Sequence, residues 1–164
     1  MPYAPIIGVL GYVLHPDGER VLMVLRSRDG DVHQGKYNGL GGKLEAGEDV
    51  VGCLRRELSE EAGITVSAER LRGTISWPGF GANGENWFGF VFVVDAFEGD
   101  VPDRNEDGPL DWVPIARLLG IGDPLPMWPG DRHFLPLVFD ADERPFHGVM
   151  PYLDGAPTGW TFHR

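Results

Sequence analysis

The stretch from Gly42 to Ile64 constrains this chain more than any other. Between Glu48 and Ala62 the apolar residues Val51, Leu54, Leu58 and Ala62 recur at the three-and-four spacing of a helix that buries one face. Gly63 stands where a helix takes its left-handed C′ residue. Beside that stripe, Glu57, Glu60 and Glu61 sit at i, i+3 and i+4, so three carboxylates crowd about a quarter turn of one helix. Like charges at that spacing each cost a helix about 0.2–0.5 kcal/mol, a cost relieved when a cation sits among them. Hard divalent cations take carboxylate oxygens, and magnesium in particular bridges carboxylates to substrate phosphates. Arg56 and Glu48 are expected to pair across the junction between the preceding loop and the helix.

The rest of the chain reads as strands around this helix. Ile7 to Leu14 and Arg20 to Arg26 are apolar runs joined by His15-Pro16-Asp17-Gly18-Glu19, a turn sequence that predicts a hairpin. Ser27 to Gly42 is glycine-rich and reads as a loop. Thr65 to Trp77 and Trp87 to Phe97 read as long strands around a hairpin at Pro78 to Asn86. Leu110 to Val113 is a short strand, Asp131 to Phe139 a helix carrying Pro136, and Phe146 to Phe162 two further strands. That order gives an α/β layered sandwich with a mixed sheet, and 164 residues suit one domain.

Composition excludes other classes. A net charge of −11 opposes binding to a nucleic-acid polymer, yet permits a small phosphate ester whose charge metal ions neutralise. The apolar run after the N-terminal Met1 to Pro5 is too short to span a membrane and has no basic flank, so neither a signal peptide nor a membrane partner is expected. Cys53 is the single cysteine, which suits a reducing cytoplasm and reads as packed inside the helix. The five histidines show no metal-ligand spacing.

From Gly42 the chain reads Gly, five residues, Glu48, seven residues, Arg56-Glu57, an aliphatic, any residue, Glu60-Glu61, any residue, Gly63 and an aliphatic. At every specified position this matches the Nudix box, and the chain resembles the MutT/Nudix hydrolases. The resemblance implies a single Nudix domain over 1–164, an α/β/α sandwich with a mixed sheet and the box at 42–64 as loop, helix and loop. It implies hydrolysis of a nucleoside diphosphate linked to another moiety, by water attacking phosphorus with Mg2+ or Mn2+. By position, Glu57, Glu60 and Glu61 are the implied metal ligands with the Gly42 carbonyl, and Arg56 orients Glu57. Some family members take the proton on a box glutamate and others on a distant loop. Glu106 is the candidate for that distant carboxylate, with an ordinary acidic loop residue as the alternative. A monomer or a homodimer would serve.

Two flanking segments narrow the substrate. Asn38-Gly39-Leu40-Gly41-Gly42-Lys43 is similar to the branch that sanitises oxidised purine nucleoside triphosphates, as is Met127-Trp128-Pro129-Gly130-Asp131 before a helix. The resemblance implies that Asn38 and Asp131 address the base edge and Trp128 its face, and Arg26 is a candidate for the phosphates. Each residue also has a plainer reading. Asn38 could be a turn residue at positive φ, Asp131 a helix N-cap and Trp128 ordinary packing. Gly130 departs from the branch, which has an aspartate there, and Gly130→Asp is expected to restore a carboxylate pair. Other derivatives remain open at this point: a dinucleoside polyphosphate, ADP-ribose or a pyrimidine triphosphate, or nucleotide sensing without turnover. The aromatic residues Trp77, Phe80, Trp87, Phe88 and Phe90 read first as hairpin or core packing, with partial lining of a pocket as the alternative.

Overall fold

A computed structural model describes residues 1–164. In chain order the elements are β1 (Ile6–Val13), β2 (Arg20–Leu25), β3 (Tyr37–Asn38), β4 (Leu40–Lys43), α1 (Val50–Ala62), β5 (Thr65–Trp77), β6 (Trp87–Glu98), β7 (Arg104–Asn105) and β8 (Gly108–Pro114). There follow α2 (Ile115–Leu118), α3 (Asp131–Phe139), β9 (Phe146–Val149), β10 (Tyr152–Leu153), β11 (Ala156–Pro157) and β12 (Thr161–His163). A six-stranded mixed sheet runs β12-β9-β5-β6-β1-β4, and a four-stranded sheet runs β3-β2-β8-β7.

Strand alternation divides the interior into two cores. Val9 and Val13 of β1, Leu22 and Val24 of β2, and Phe92 and Val94 of β6 pack with Leu54 and Leu58 of α1. The intervening Tyr12, Val21, Met23, Val91 and Val93 face the other way, onto Phe134, Leu135 and Val138 of α3. Each such side chain taken fully from water contributes about 1.5–3 kcal/mol, so both helices are held by the strands between them. The result is the α/β/α sandwich with a mixed sheet.

The helix α1 begins and ends on local signals. The Asp49 side chain accepts from the Gly52 amide at 2.8 Å, and Gly63 closes the helix at φ 65°. At the far end of α3 a different device operates. Arg72 of β5 is 2% exposed and donates from Nε to the Val138 carbonyl at 2.9 Å, and from Nη2 to the carbonyls of Leu137 and Asp142. A cation there satisfies acceptors that a helix C-terminus leaves unpaired.

Three expectations need correction. The tail from Phe146 holds four short strands, β9 to β12, where two were expected. The Pro-Asp-Gly turn is present, with the Gly18 amide bonded to the His15 carbonyl at 2.8 Å, but β1 and β2 share only the single bridge Leu14–Val21. They then part into different sheets, β1 between β4 and β6 and β2 between β3 and β8. Both strands are apolar on both faces, so each takes neighbours on either edge and covers both cores. The glycine-rich segment is not all loop: its end forms β3 and β4, with Val9 opposite Gly42.

Candidate active site

The carboxylate face of α1 borders a cleft of about 520 Å³, closed on its other side by the turn between β7 and β8. Arg56 organises this face. It donates from Nε to Glu48 Oε1 at 2.9 Å and from Nη1 to Glu57 at 2.8 Å and Glu60 at 3.3 Å, while Nη2 reaches the Lys43 carbonyl. The expected pair of Arg56 and Glu48 is therefore present, and the guanidinium holds the Glu48 carboxyl below its ordinary range. Glu61 turns the opposite way and accepts from the Gly41 amide at 3.1 Å. Burial, against that bond, pushes its carboxyl up to about 8, and the nearby Glu57 and Asp107 add to the effect. Glu57 is raised for the same leading reason.

Gly42 of β4 lies against this helix so closely that a Cβ would strike the Glu57 carboxylate. The strand backbone at Gly42 and the carboxylates of this helix face are oxygen donors of the kind a hard divalent cation takes. The carboxylates are not gathered onto a single point, since no three acidic, His or Cys side chains converge. Arg56 holds Glu57 and Glu60, and the Gly41 amide holds Glu61.

Glu106 borders the same cleft, on the turn between β7 and β8, with its side chain 85% exposed and 3.5 Å from Arg28 Nη2. Asn105 Nδ2 donates to the Glu61 carbonyl at 3.1 Å and pins that turn to α1. Asp107, which sequence reasoning passed over, also lines the cleft and lies 3.8 Å from Arg26.

A second cavity, about 240 Å³, opens beside Gly41 and Gly42, and Arg26, Asn38, Trp128 and Asp131 all line it. Residues up to 105 positions apart in the chain meet here because β2, β3 and the start of α3 converge. The plainer readings of Asn38 and Asp131 fail. Asn38 is extended in β3 opposite Val24, and the only non-glycine residue at positive φ is Asp154. Its Nδ2 bonds the Lys36 carbonyl at 3.2 Å, and its amide oxygen takes no protein donor. Asp131 is the first residue of α3, preceded by Gly130 with no side-chain cap, and its carboxylate accepts no protein hydrogen bond. Burial alone pushes that carboxyl up to about 7.

Trp128 stands between two partners, with Lys36 Nζ 4.4 Å from its ring centroid and its Nε1 donating to His33 Nδ1 at 2.6 Å. Arg26 is partly committed, donating from Nε to Asp31 at 2.7 Å. Tyr12, His33, Trp77, Phe80, Trp87 and Tyr152 complete the walls, so three of the five aromatics assigned to packing face the cavity. Phe88 and Phe90 pack on each other instead, 5.6 Å apart. Gly130 corrects one expectation. A Cβ there would strike the Tyr152 hydroxyl and crowd Met150, so an aspartate enters only if both side chains move.

A family model described as the NUDIX domain matches residues 4–138. The chain is 31% identical over 146 residues to the oxidized purine nucleoside triphosphate hydrolase of Mus musculus, covering 87% of this chain and 83% of that protein. It is 30% identical over 148 residues to the uncharacterized Nudix hydrolase YvcI of Bacillus subtilis, covering 88% and 85%. The crystal structure of the mutator MutT protein from Bacillus halodurans superposes with a TM-score of 0.77 at 27% identity, over 96% of this chain and 97% of that one. No helix of the chain is long and apolar enough to cross a membrane.

Proposed function

This chain belongs to the Nudix family of nucleotide diphosphate hydrolases, and from that membership we propose that it cleaves oxidised purine nucleoside triphosphates such as 8-oxo-dGTP to monophosphate and pyrophosphate. The observation that carries this reading is the convergence of Asn38, Trp128 and Asp131 on one cavity beside Gly41 and Gly42. Oxidation of a purine at C8 adds a carbonyl and places a proton on N7, which changes the donor and acceptor pattern along one edge. Asn38 presents a free amide oxygen, and Asp131, poised near 7, donates when protonated and accepts when ionised. The Trp128 indole offers an aromatic face on which any base stacks. The named activity of the mouse relative supports the same substrate class.

Nudix hydrolases generally use a divalent metal, and in this reading the metal is Mg2+, with Mn2+ as substitute. Glu57, Glu60, Glu61 and the Gly42 carbonyl would hold it. Bound there, it would neutralise phosphate charge and lower the pKa of water at the site. The chain's own residues do the rest. Arg56 keeps Glu57 oriented and is itself held by Glu48. Glu106, exposed at the cleft rim, takes the proton of the attacking water, with a box glutamate as the other candidate.

A larger space of about 820 Å³ adjoins the base cavity and shares Phe80, Trp87, Trp128 and Tyr152 with it. That observation favours a second reading, in which the substrate is a bulkier nucleoside diphosphate derivative such as ADP-ribose or a dinucleoside polyphosphate. Product release measured over 8-oxo-dGTP, the ordinary nucleoside triphosphates, ADP-ribose and a diadenosine polyphosphate, with and without Mg2+, separates the two. The highest kcat/KM should fall on the oxidised purine triphosphate and require the metal. A preference for ADP-ribose or the dinucleotide would overturn the first reading in favour of the second.

A further inference from the structure

We infer that His33 is a positioning residue for the substrate, its Nδ1 lone pair holding the Trp128 indole in the orientation it offers to the base. This rests on the base-cavity reading above and extends it to a side chain on a different loop. An indole N–H only donates, and an imidazole nitrogen accepts only when it carries no proton. The 2.6 Å contact from Trp128 Nε1 to His33 Nδ1 therefore specifies the neutral ring with its proton on Nε2. The two rings meet edge to face, centroids 5.2 Å apart at 83°.

Trp128 needs such a restraint. It lies in the irregular stretch between α2 and α3, outside any strand ladder, and only the Asp131 amide bonds its carbonyl. His33, by contrast, is firmly mounted. Its backbone amide donates to Asp31 Oδ1 at 2.9 Å, and Asp31, 8% exposed at its side chain, takes Arg26 Nε on its other oxygen at 2.7 Å. The Arg26 amide and carbonyl bond Lys36 and Gly35, which closes residues 27–36 into a ring rooted on β2. The charged groups facing His33 are Arg26, Lys36, Asp31 and Asp107. Burial, with Arg26 and Lys36, outweighs the two carboxylates and keeps the imidazole below its ordinary range, which supports the neutral form. Both rings line both cavities, so a turn of the indole would alter the base wall directly.

The test compares His33→Phe, His33→Asn and Trp128→Ala in the full chain with its preferred purine nucleotide. Phenylalanine keeps a ring but loses the acceptor. Asparagine places an amide oxygen near the Nδ1 position and never protonates. His33→Phe should raise KM about tenfold while kcat falls less than about threefold, the loss of one hydrogen bond expressed in binding. His33→Asn should hold KM near wild type and should lack the part of the KM rise that wild type shows on acidification. Equal KM for the Phe variant and wild type would overturn the inference, and so would an Asn variant as impaired as Phe. Should His33→Phe fail to fold, coincident KM–pH profiles for wild type and His33→Asn would overturn it independently. If Trp128→Ala leaves KM and substrate ranking unchanged, the base cavity itself is misassigned, a result separable from the His33 outcomes.

Discussion

Asp131→Asn tests the cavity and its electrostatics in one substitution. Burial raises the Asp131 carboxyl from 3.8 to about 7, with no protein donor to offset it. The folded chain therefore retains a proton that the unfolded chain releases near pH 4. Below pH 4 both states are protonated and the side chain costs nothing. Between pH 4 and 7 the unfolded state ionises and the folded state resists, so stability falls as pH rises, and above 7 the deficit is constant. At ~1.4 kcal/mol per pH unit the ceiling is about 4 kcal/mol. The cavity is open to water, whose screening reduces the expected effect to about 2 kcal/mol. Asparagine has nearly the same shape and does not ionise. In urea melts without nucleotide, Asp131→Asn should match wild type near pH 4 and exceed it by about 2 kcal/mol at pH 8. A difference that stays flat from pH 4 to pH 8 would refute the argument. The same variant should compress the kcat/KM ratio between oxidised and ordinary purine triphosphates by about 1–3 kcal/mol, because a donor-acceptor pair matched to one edge is lost.

Two further outcomes follow from other parts of the molecule. Glu57→Gln, Glu60→Gln and Glu61→Gln should each lower turnover by at least about 10²-fold, with the metal-free melting temperature held or raised, most clearly at Glu61, whose carboxyl burial already raises; near wild-type turnover in two of them would dismiss the assigned metal site. Arg72→Met should destabilise the fold by about 3 kcal/mol in urea melts, since the Leu137, Val138 and Asp142 carbonyls lose their donor, while activity per folded molecule persists.

Elements whose partners are close in sequence were legible from the residues. Gly63 marks the end of α1 by capping rules, and the Gly-rich turn at Pro78–Asn86 brings β5 onto β6 as expected, while the N-cap Asp49 emerges only in the structure. The pairing of β1 was not legible, because a strand apolar on both faces carries no sign of which edge neighbour it will take. Its partners, β4 and β6, are decided by which arrangement covers both α1 and α3. Glycines hid β4 for a related reason: Gly41 and Gly42 have no β propensity, and their place in the sheet follows from close approach to β1 and Glu57. Motif resemblance picked out the box glutamates, Asn38 and Asp131, which line the candidate cleft and cavity. It did not pick out Tyr12, His33 and Tyr152, since what makes them part of the cavity is convergence from β1, the 27–36 segment and β10, and no local pattern encodes that.

The contact between Gly130 and Tyr152 has a consequence for how selectivity can change over evolutionary time. The ring hydroxyl and a side chain at 130 claim the same volume, so the two positions are not independent letters. A carboxylate gained at 130 alone collides with Tyr152 and Met150, and a smaller residue at 152 alone removes part of the core that Tyr152 fills. A side chain at 130 therefore needs room made by both Tyr152 and Met150, so changes at the three positions are expected to be coupled. Under the proposed base-cavity reading, residue 130 in homologues is informative about the substrate only when read together with residues 150 and 152.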